Sequence, residues 1–387
     1  MKRSESRILT THTGSLVRPS SVIEFDNARA QGRAVDEAAY DEALRVAVED
    51  VVRDQSRAGI DVVDDGEFSK ASWATYINGR VSGFKFDPDR YMAYNFTGLD
   101  STERFPEFFA GEIFGGGRWK GADVCVEPIA YTDTHSIHRD IANLKAAMEE
   151  SHVEEAFLPV AAPASAAFNG VNDYYKTDEE YVYALAEALR TEYLAIYESG
   201  LILQVDDAVL ANVYDDLMGQ SRETYRKWAN TRIEALNHAL RGIPEDRIRY
   251  HLCYGSWHAP HVSDAPLEDI VDLILSVNAG AYSLEAANVR HEHEWRIWED
   301  VKLPEGKVLI PGVVTHHTLS VEHPRLVADR LIRYANIVGP QNLIAGTDCG
   351  FQQGAGLERA HPKIIWAKFQ ALAEGAKIAS QEFGLKD

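Results

Sequence analysis

The feature that most constrains this chain is a repeating alternation. Eight short runs of apolar and β-branched residues, at 8–15, 59–67, 156–160, 200–207, 247–255, 279–285, 307–314 and 342–350, recur along the 387 residues. Between them the periodicity predicts helices over 35–58, 138–151, 177–199, 221–240, 266–277, 322–338 and 362–383. Strand–helix alternation calls for a parallel sheet, and eight such units close into a (β/α)8 TIM barrel in the α/β class. An open doubly wound sheet is the competitor. It needs a Gly-rich phosphate turn after strand one, and His12-Thr-Gly-Ser-Leu-Val-Arg18 lacks the G-x-G-x-x-G spacing. One domain over 1–387 is expected, with an insertion at about 68–133, where the rhythm breaks and aromatics and glycines crowd (Trp73, Tyr76, Tyr91, Tyr94, Phe105, Phe108, Phe109, Phe114, Gly115 to Gly117). Alternation over 120–131 suggests that this insertion is a β-hairpin lid after strand two, since a structureless loop of such length is uncommon.

Charge and cysteine usage narrow the chemistry. A formal charge of −21 argues against nucleic acid and anionic membranes, which want basic surfaces. It also means that an anionic substrate must be caught by local donors against the global field. No apolar run reaches the length of a membrane span, and no apolar stretch follows the first residues as in a secretory signal, so a cytoplasmic protein is expected. Three cysteines, Cys125, Cys253 and Cys349, are too few for a disulfide framework and read as thiols or metal ligands.

The strand ends carry the informative residues. Ser15, Glu67, Asp206, Cys253, Glu285 and Cys349 all fall at or just after the C-terminal ends of predicted strands, the face on which barrel active sites lie. His251 and Cys253 are two apart on one strand, so their side chains point the same way. With Glu285 and Cys349 they make an imidazole, a carboxylate and two thiolates, a tetrahedral zinc shell. Sulfur-rich ligation suits zinc to holding a substrate thiol as thiolate rather than to activating water. Two blander readings stay open: a closed zinc site without chemistry, and cysteines that are simply buried small residues.

In order, His251-x-Cys253, Glu285 and Cys349 resemble the catalytic half of cobalamin-independent methionine synthase. The likeness covers nearly the whole chain: Gly14-Ser15, Asp65-Gly-Glu67, Gln204-Val-Asp206, Leu284-Glu285-Ala-Ala-Asn288 and Gly346-Thr-Asp-Cys-Gly350 all resemble family segments. The resemblance implies that Glu67 and Asp206 hold the amino group of homocysteine, that the Ser15 turn meets its carboxylate, and that His317 is the acid. It also implies zinc as cofactor, a small-molecule thiol and an alkyl donor as partners, and methyl transfer from a methylated tetrahydrofolate or other small donor. A homo-oligomer stays open.

Three departures qualify the resemblance. The eight units take up these 387 residues, so the N-terminal barrel of full-length members is not expected among them. Thr315-His-His-Thr318 stands where the family has Asp-x-His-Ser, and Asp206-Asp-Ala208 stands where a Pro-bearing turn is usual. The short form, with Val321-Glu-His-Pro324 and His291-Glu-His-Glu-Trp295, also resembles the group that contains epoxyalkane:coenzyme M transferase, whose zinc-bound thiol attacks an epoxide. A non-catalytic zinc-binding barrel is a further alternative, and a porphyrinogen-type decarboxylase needs no zinc. His258 and His261 line the pocket or face solvent, His291 and His293 orient a ligand or start an ion-paired helix, and His12 is a candidate for the pocket mouth.

Overall fold

The computed structural model describes residues 1–73, 75–91, 99–110, 120–255, 259–356 and 359–385. Tyr94, Phe114, Gly115 to Gly117 and His258 lie outside them. The strands in chain order are β1 (Leu9–Thr10), β2 (Val62–Val63), β3 (Phe84–Tyr91), β4 (Lys120–Cys125), β5 (Glu155–Ala161), β6 (Gly170–Asn172), β7 (Ile202–Asp207), β8 (Ile248–Leu252), β9 (Ala281–Glu285), β10 (Val308–Val314) and β11 (Ile344–Thr347). Eight of them form one parallel sheet in the order β1-β11-β10-β9-β8-β7-β5-β2. A parallel bridge between Thr11 and Val62 joins the two end strands, so the sheet closes into the expected barrel.

Strand parity decides what faces where. Ile248, Tyr250 and Leu252 of β8 belong to the large core between barrel and helices, as do Leu203 and Val205 of β7 and Tyr282 and Leu284 of β9. Their alternate neighbours therefore point into the barrel. Low in the interior these are apolar: Leu9, Ala281, Val308, Ile310 and Ile344 form one small cluster, and Val62, Phe157 and Ile202 another. Higher up they turn polar: Gln204, Arg249, His251, Ser283 and Glu285 are all buried. The same period of two that builds the wall thus delivers the chemistry to its top.

The helices start where capping chemistry puts them. Asp36 caps Glu37–Arg57, Thr177 caps the acidic first turn of Asp178–Glu198, and Ser221 caps Arg222–Leu240, each side chain accepting a backbone N–H. Sequence reading missed the helices Ser20–Ala30, Pro163–Phe168 and Tyr214–Met218. Two are a turn or so long, and the first has almost no amphipathic stripe, so periodicity had nothing to detect. Among the described residues no helix is long and apolar enough to cross a membrane.

The insertion differs from a simple hairpin. β3 and β4 do pair antiparallel, but the helices Leu99–Arg104 and Pro106–Phe109 lie between them, and β6, from beyond barrel strand β5, adds in parallel to β4. A three-residue strand carries too little pattern to be read from sequence. Buried Arg80 fastens this unit to the barrel helices through Asp140, at 2.8 Å, and Glu192. Its first residues pair with the chain after the last strand, Ala355 N–H donating to Ala71 O at 2.8 Å and Trp73 N–H to Gln353 O at 3.3 Å. The insertion therefore borders the C-terminal face.

Candidate metal and substrate site

β8 ends with His251 pointing inward, and Cys253 follows on the same side. Cys349 arrives from the opposite part of the barrel wall, just past β11. Two local features bring it in. The pairing of β10 with β11 is irregular between Gly312 and Val314, where β10 carries an extra residue and the register with the end of β11 shifts. Gly312 also allows close approach, because a Cβ there would lie only 2.5 Å from the Asp348 nitrogen. Asp348 then ties Cys349 to the end of β9, its Oδ1 accepting the Ala286 and Ala287 N–H groups at 2.7 and 2.8 Å.

The outcome is a group of three. One ligand atom from each of His251, Cys253 and Cys349 lies within 4.8 Å of the others, and all three residues are buried. The two Sγ atoms are 3.5 Å apart, with no disulfide between them. Both ring nitrogens of His251 are buried without a hydrogen-bond partner. A buried imidazole left bare is costly unless something else occupies its lone pair. The charge balance says the same. Cys349 is pushed well above the ordinary thiol value by sharing a hydrogen bond with Cys253 and by burial, while His251 pulls the other way. Burial, with Asp348 and Cys349 close by, holds Glu285 well above the usual carboxylate range. Two thiols and a carboxyl this close cannot all ionise without a cation among them. The donor set therefore fits a zinc ion.

Glu285 is near but not of the group. Its Oε1 faces the Tyr254 N–H at 3.3 Å, and its Oε2 accepts from Asn288 at 2.7 Å and Arg290 at 2.9 Å. Arg290 is a residue that sequence reading overlooked. It also ion-pairs with Asp264 and donates to His317 Nε2 at 2.7 Å. His317 is therefore coupled to Glu285 through one guanidinium, with Nε2 as the accepting nitrogen. His261, at φ 49, joins the same cluster through Asp264 at 3.0 Å and packs on His317 with ring centroids 5.8 Å apart. His291 is buried against Tyr254 and Glu294, whereas His293 is exposed. His12 does not reach the mouth: it is buried beside Gln55, and burial pushes its pKa down to about 3.

The other strand-end residues converge on the opposite side. Asp206 sits level with His251 across the β7–β8 pairing and takes a 2.8 Å hydrogen bond from Gln204. Burial raises its pKa to about 7, with His251 opposing the rise and Glu67 adding to it. Glu67 adopts φ 58, a left-handed conformation rare for a side-chain-bearing residue. Its N–H is held by Asp65 at 2.9 Å and its carbonyl by Arg18 at 3.1 Å. Such strain persists only where surrounding contacts impose it, and it clusters at working sites. The Ser15 turn lies against the chain after Cys349, Ser15 O accepting the Phe351 N–H at 2.8 Å.

With this geometry in place, comparison with known proteins is informative. Residues 8–97 and 127–366 match the model of the cobalamin-independent synthase catalytic domain. The chain belongs to that family. The family match leaves out 98–126, so the part that departs falls inside the insertion. Methionine synthase of Thermococcus kodakarensis is 24% identical over 375 residues, covering 96% of this chain and 94% of that protein. Methionine synthase of Saccharolobus solfataricus is 24% identical over 380 residues, covering 97% and 96%. These relatives are thus chains of similar length. The B12-independent methionine synthase from Shewanella sp. W3-18-1, solved with selenomethionine, superposes with a TM-score of 0.73 at 19% identity, covering 97% of this chain and 99% of that one. A putative vitamin-B12-independent methionine synthase from Listeria monocytogenes gives 0.66 at 19% identity, covering 96% and 98%. Both share the barrel.

Proposed function

We propose that this chain is a zinc-dependent methyltransferase that methylates the sulfur of homocysteine to give methionine. The carrying observation is the trio His251, Cys253 and Cys349, with its bare imidazole and paired thiols. Its family and the methionine synthases it resembles support the same reading. A zinc ion held there would keep the acceptor sulfur as thiolate at neutral pH, and Glu285, which Asn288 and Arg290 hold, is the candidate fourth ligand. The remaining work falls to side chains. Glu67 and Asp206 take the ammonium group, and two carboxylates facing it select against thiols without one. The Ser15 turn faces the carboxylate end. The sulfur–methyl bond forms as the donor's nitrogen–methyl bond breaks, and His317 gives that nitrogen a proton. Arg290 occupies His317 Nε2 in the resting arrangement, so it must let go when the imidazole takes up the proton it passes on.

A methylated tetrahydrofolate is the donor we favour. The chain is acidic and of similar length to its relatives, so a monoglutamyl or smaller donor should work at least as well as a polyglutamyl one. The test is metal analysis of protein purified without added metal, followed by methionine formation from homocysteine with each folate form. About one zinc per chain and methionine as product are expected. Iron in place of zinc, or no proton release on mixing with any of homocysteine, coenzyme M, glutathione and cysteine, overturns the reading. Epoxide opening by coenzyme M in place of methionine formation would make the transferase of that other group the right assignment.

A further inference from the structure

Buried arginines in this barrel have partners. Arg18 donates to the carbonyls of Gln352, Glu67 and Lys70, and Arg249 to Thr11 and the His12 carbonyl. Arg290 is spent on Glu285, Asp264 and His317. Arg359 is different. It is half-buried, its Nη1 is shut off from solvent without a hydrogen-bond partner, and it makes no ion pair or hydrogen bond among the described residues. An amino group of a guanidinium shut off from water without an acceptor is unfavourable, and it marks a place where an anion fits.

Its position says which anion. Arg359 ends the strap that leaves the barrel at Cys349. That strap is laced to Ser15, which accepts the Phe351 N–H at 2.8 Å, and to the insertion, where Ala71 accepts the Ala355 N–H. Burial lowers the Arg359 pKa, and the charges acting against that are first Cys349 and then Cys253. The two sulfurs of the trio are thus the charges felt most by this guanidinium, and the strap that carries it is laced to Ser15. An amino-acid thiol brings three charged ends. The trio takes sulfur and the two carboxylates take the ammonium, which leaves the carboxylate for the Ser15 side, where a net charge of −21 works against any anion without a local cation.

We propose that Arg359 binds the carboxylate of the acceptor thiol and thereby selects amino-acid thiols over simple amine thiols. The proposal rests on the thiol-methylating reading above. Calorimetric titration of the zinc-loaded protein with homocysteine and with 3-aminopropane-1-thiol, which lacks only the carboxylate, tests it without turnover. Arg359→Gln should weaken homocysteine binding by about 10- to 100-fold, the loss of a charge-assisted pair, and leave the amine thiol unchanged. Arg359→Lys should recover part of the loss. Equal loss for both thiols would mean that the arginine serves the sulfur charge instead, and an unchanged preference would mean that it serves neither; each overturns the proposal. Wild-type protein that binds neither thiol refutes the thiol-methylating reading itself, and this inference falls with it, so the two failures are told apart. Zinc content and circular dichroism of both variants check the fold, and the ratio between the two thiols is insensitive to a partial loss of active protein.

Discussion

Replacing Gly14 with alanine separates the carboxylate proposed to bind the amine from the proposed metal site. Gly14 has φ 143, and a Cβ built there lies 2.6 Å from Glu67 Oε1, 3.2 Å from Pro159 Cγ and 3.3 Å from Asp64 Oδ2. Ordinary contact begins near 3.4 Å, so the Glu67 oxygen must retreat by at least about 0.8 Å. The Glu67 backbone cannot follow, because Asp65 and Arg18 hold both its N–H and its carbonyl. The side chain therefore swings, and a misplacement of about 1 Å at a binding group costs on the order of 100-fold. The backbone strain adds about 1–3 kcal/mol against folding, a fall of a few degrees in the thermal midpoint. Calorimetry on zinc-loaded protein should show homocysteine weakened by roughly 10- to 100-fold. Zinc content should be normal, and 4-mercaptobutanoate, which has no amine, should be little affected. Normal homocysteine affinity in Gly14→Ala would refute the assignment of Glu67 to the ammonium group. Loss of zinc would refute the separation between the two halves of the site.

Other consequences follow from the same geometry. Cys253→Ser should drop zinc from about one per chain to near none. Glu285→Gln should weaken it by only about 10- to 100-fold, because Asn288 and Arg290 already hold that carboxylate outside the trio; equal losses in competition with a chelator would place Glu285 on a par with the thiols. His317→Asn should lower turnover by about 100-fold or more with zinc content and thiol affinity intact, and a normal kcat would remove His317 from the proton transfer. Asp206 is raised from 3.8 to about 7, mainly by burial, so the fold holds a proton that the unfolded chain has lost by then. The stability this contributes is complete below about pH 4 and is lost as the pH climbs through 7. Asp206→Asn should therefore raise the thermal midpoint of metal-free protein at pH 8, with the gain shrinking towards pH 4.5. A gain independent of pH would contradict the raised carboxyl.

What the chain carried in one dimension was the alternation and its punctuation. Strand segments have a two-residue period and barrel helices a longer one, so the eight units, the shared face of His251 and Cys253 and the strand-end placement of Glu67, Asp206, Glu285 and Cys349 were readable from residue types and spacing alone. Tertiary structure decided whatever depends on approach between distant segments. Gly312 and the irregular β10–β11 pairing bring the Cys349 sulfur to 3.5 Å from that of Cys253. No local signal ties Arg290 to Glu285 and His317, leaves Arg359 Nη1 without a hydrogen-bond partner among the described residues, or adds β6 to the insertion's sheet. Charges are neutralised by whatever lies nearest in space, and spatial neighbours across a barrel come from strands some hundred residues apart, so the sequence named the candidate ligands while the closed sheet chose their partners.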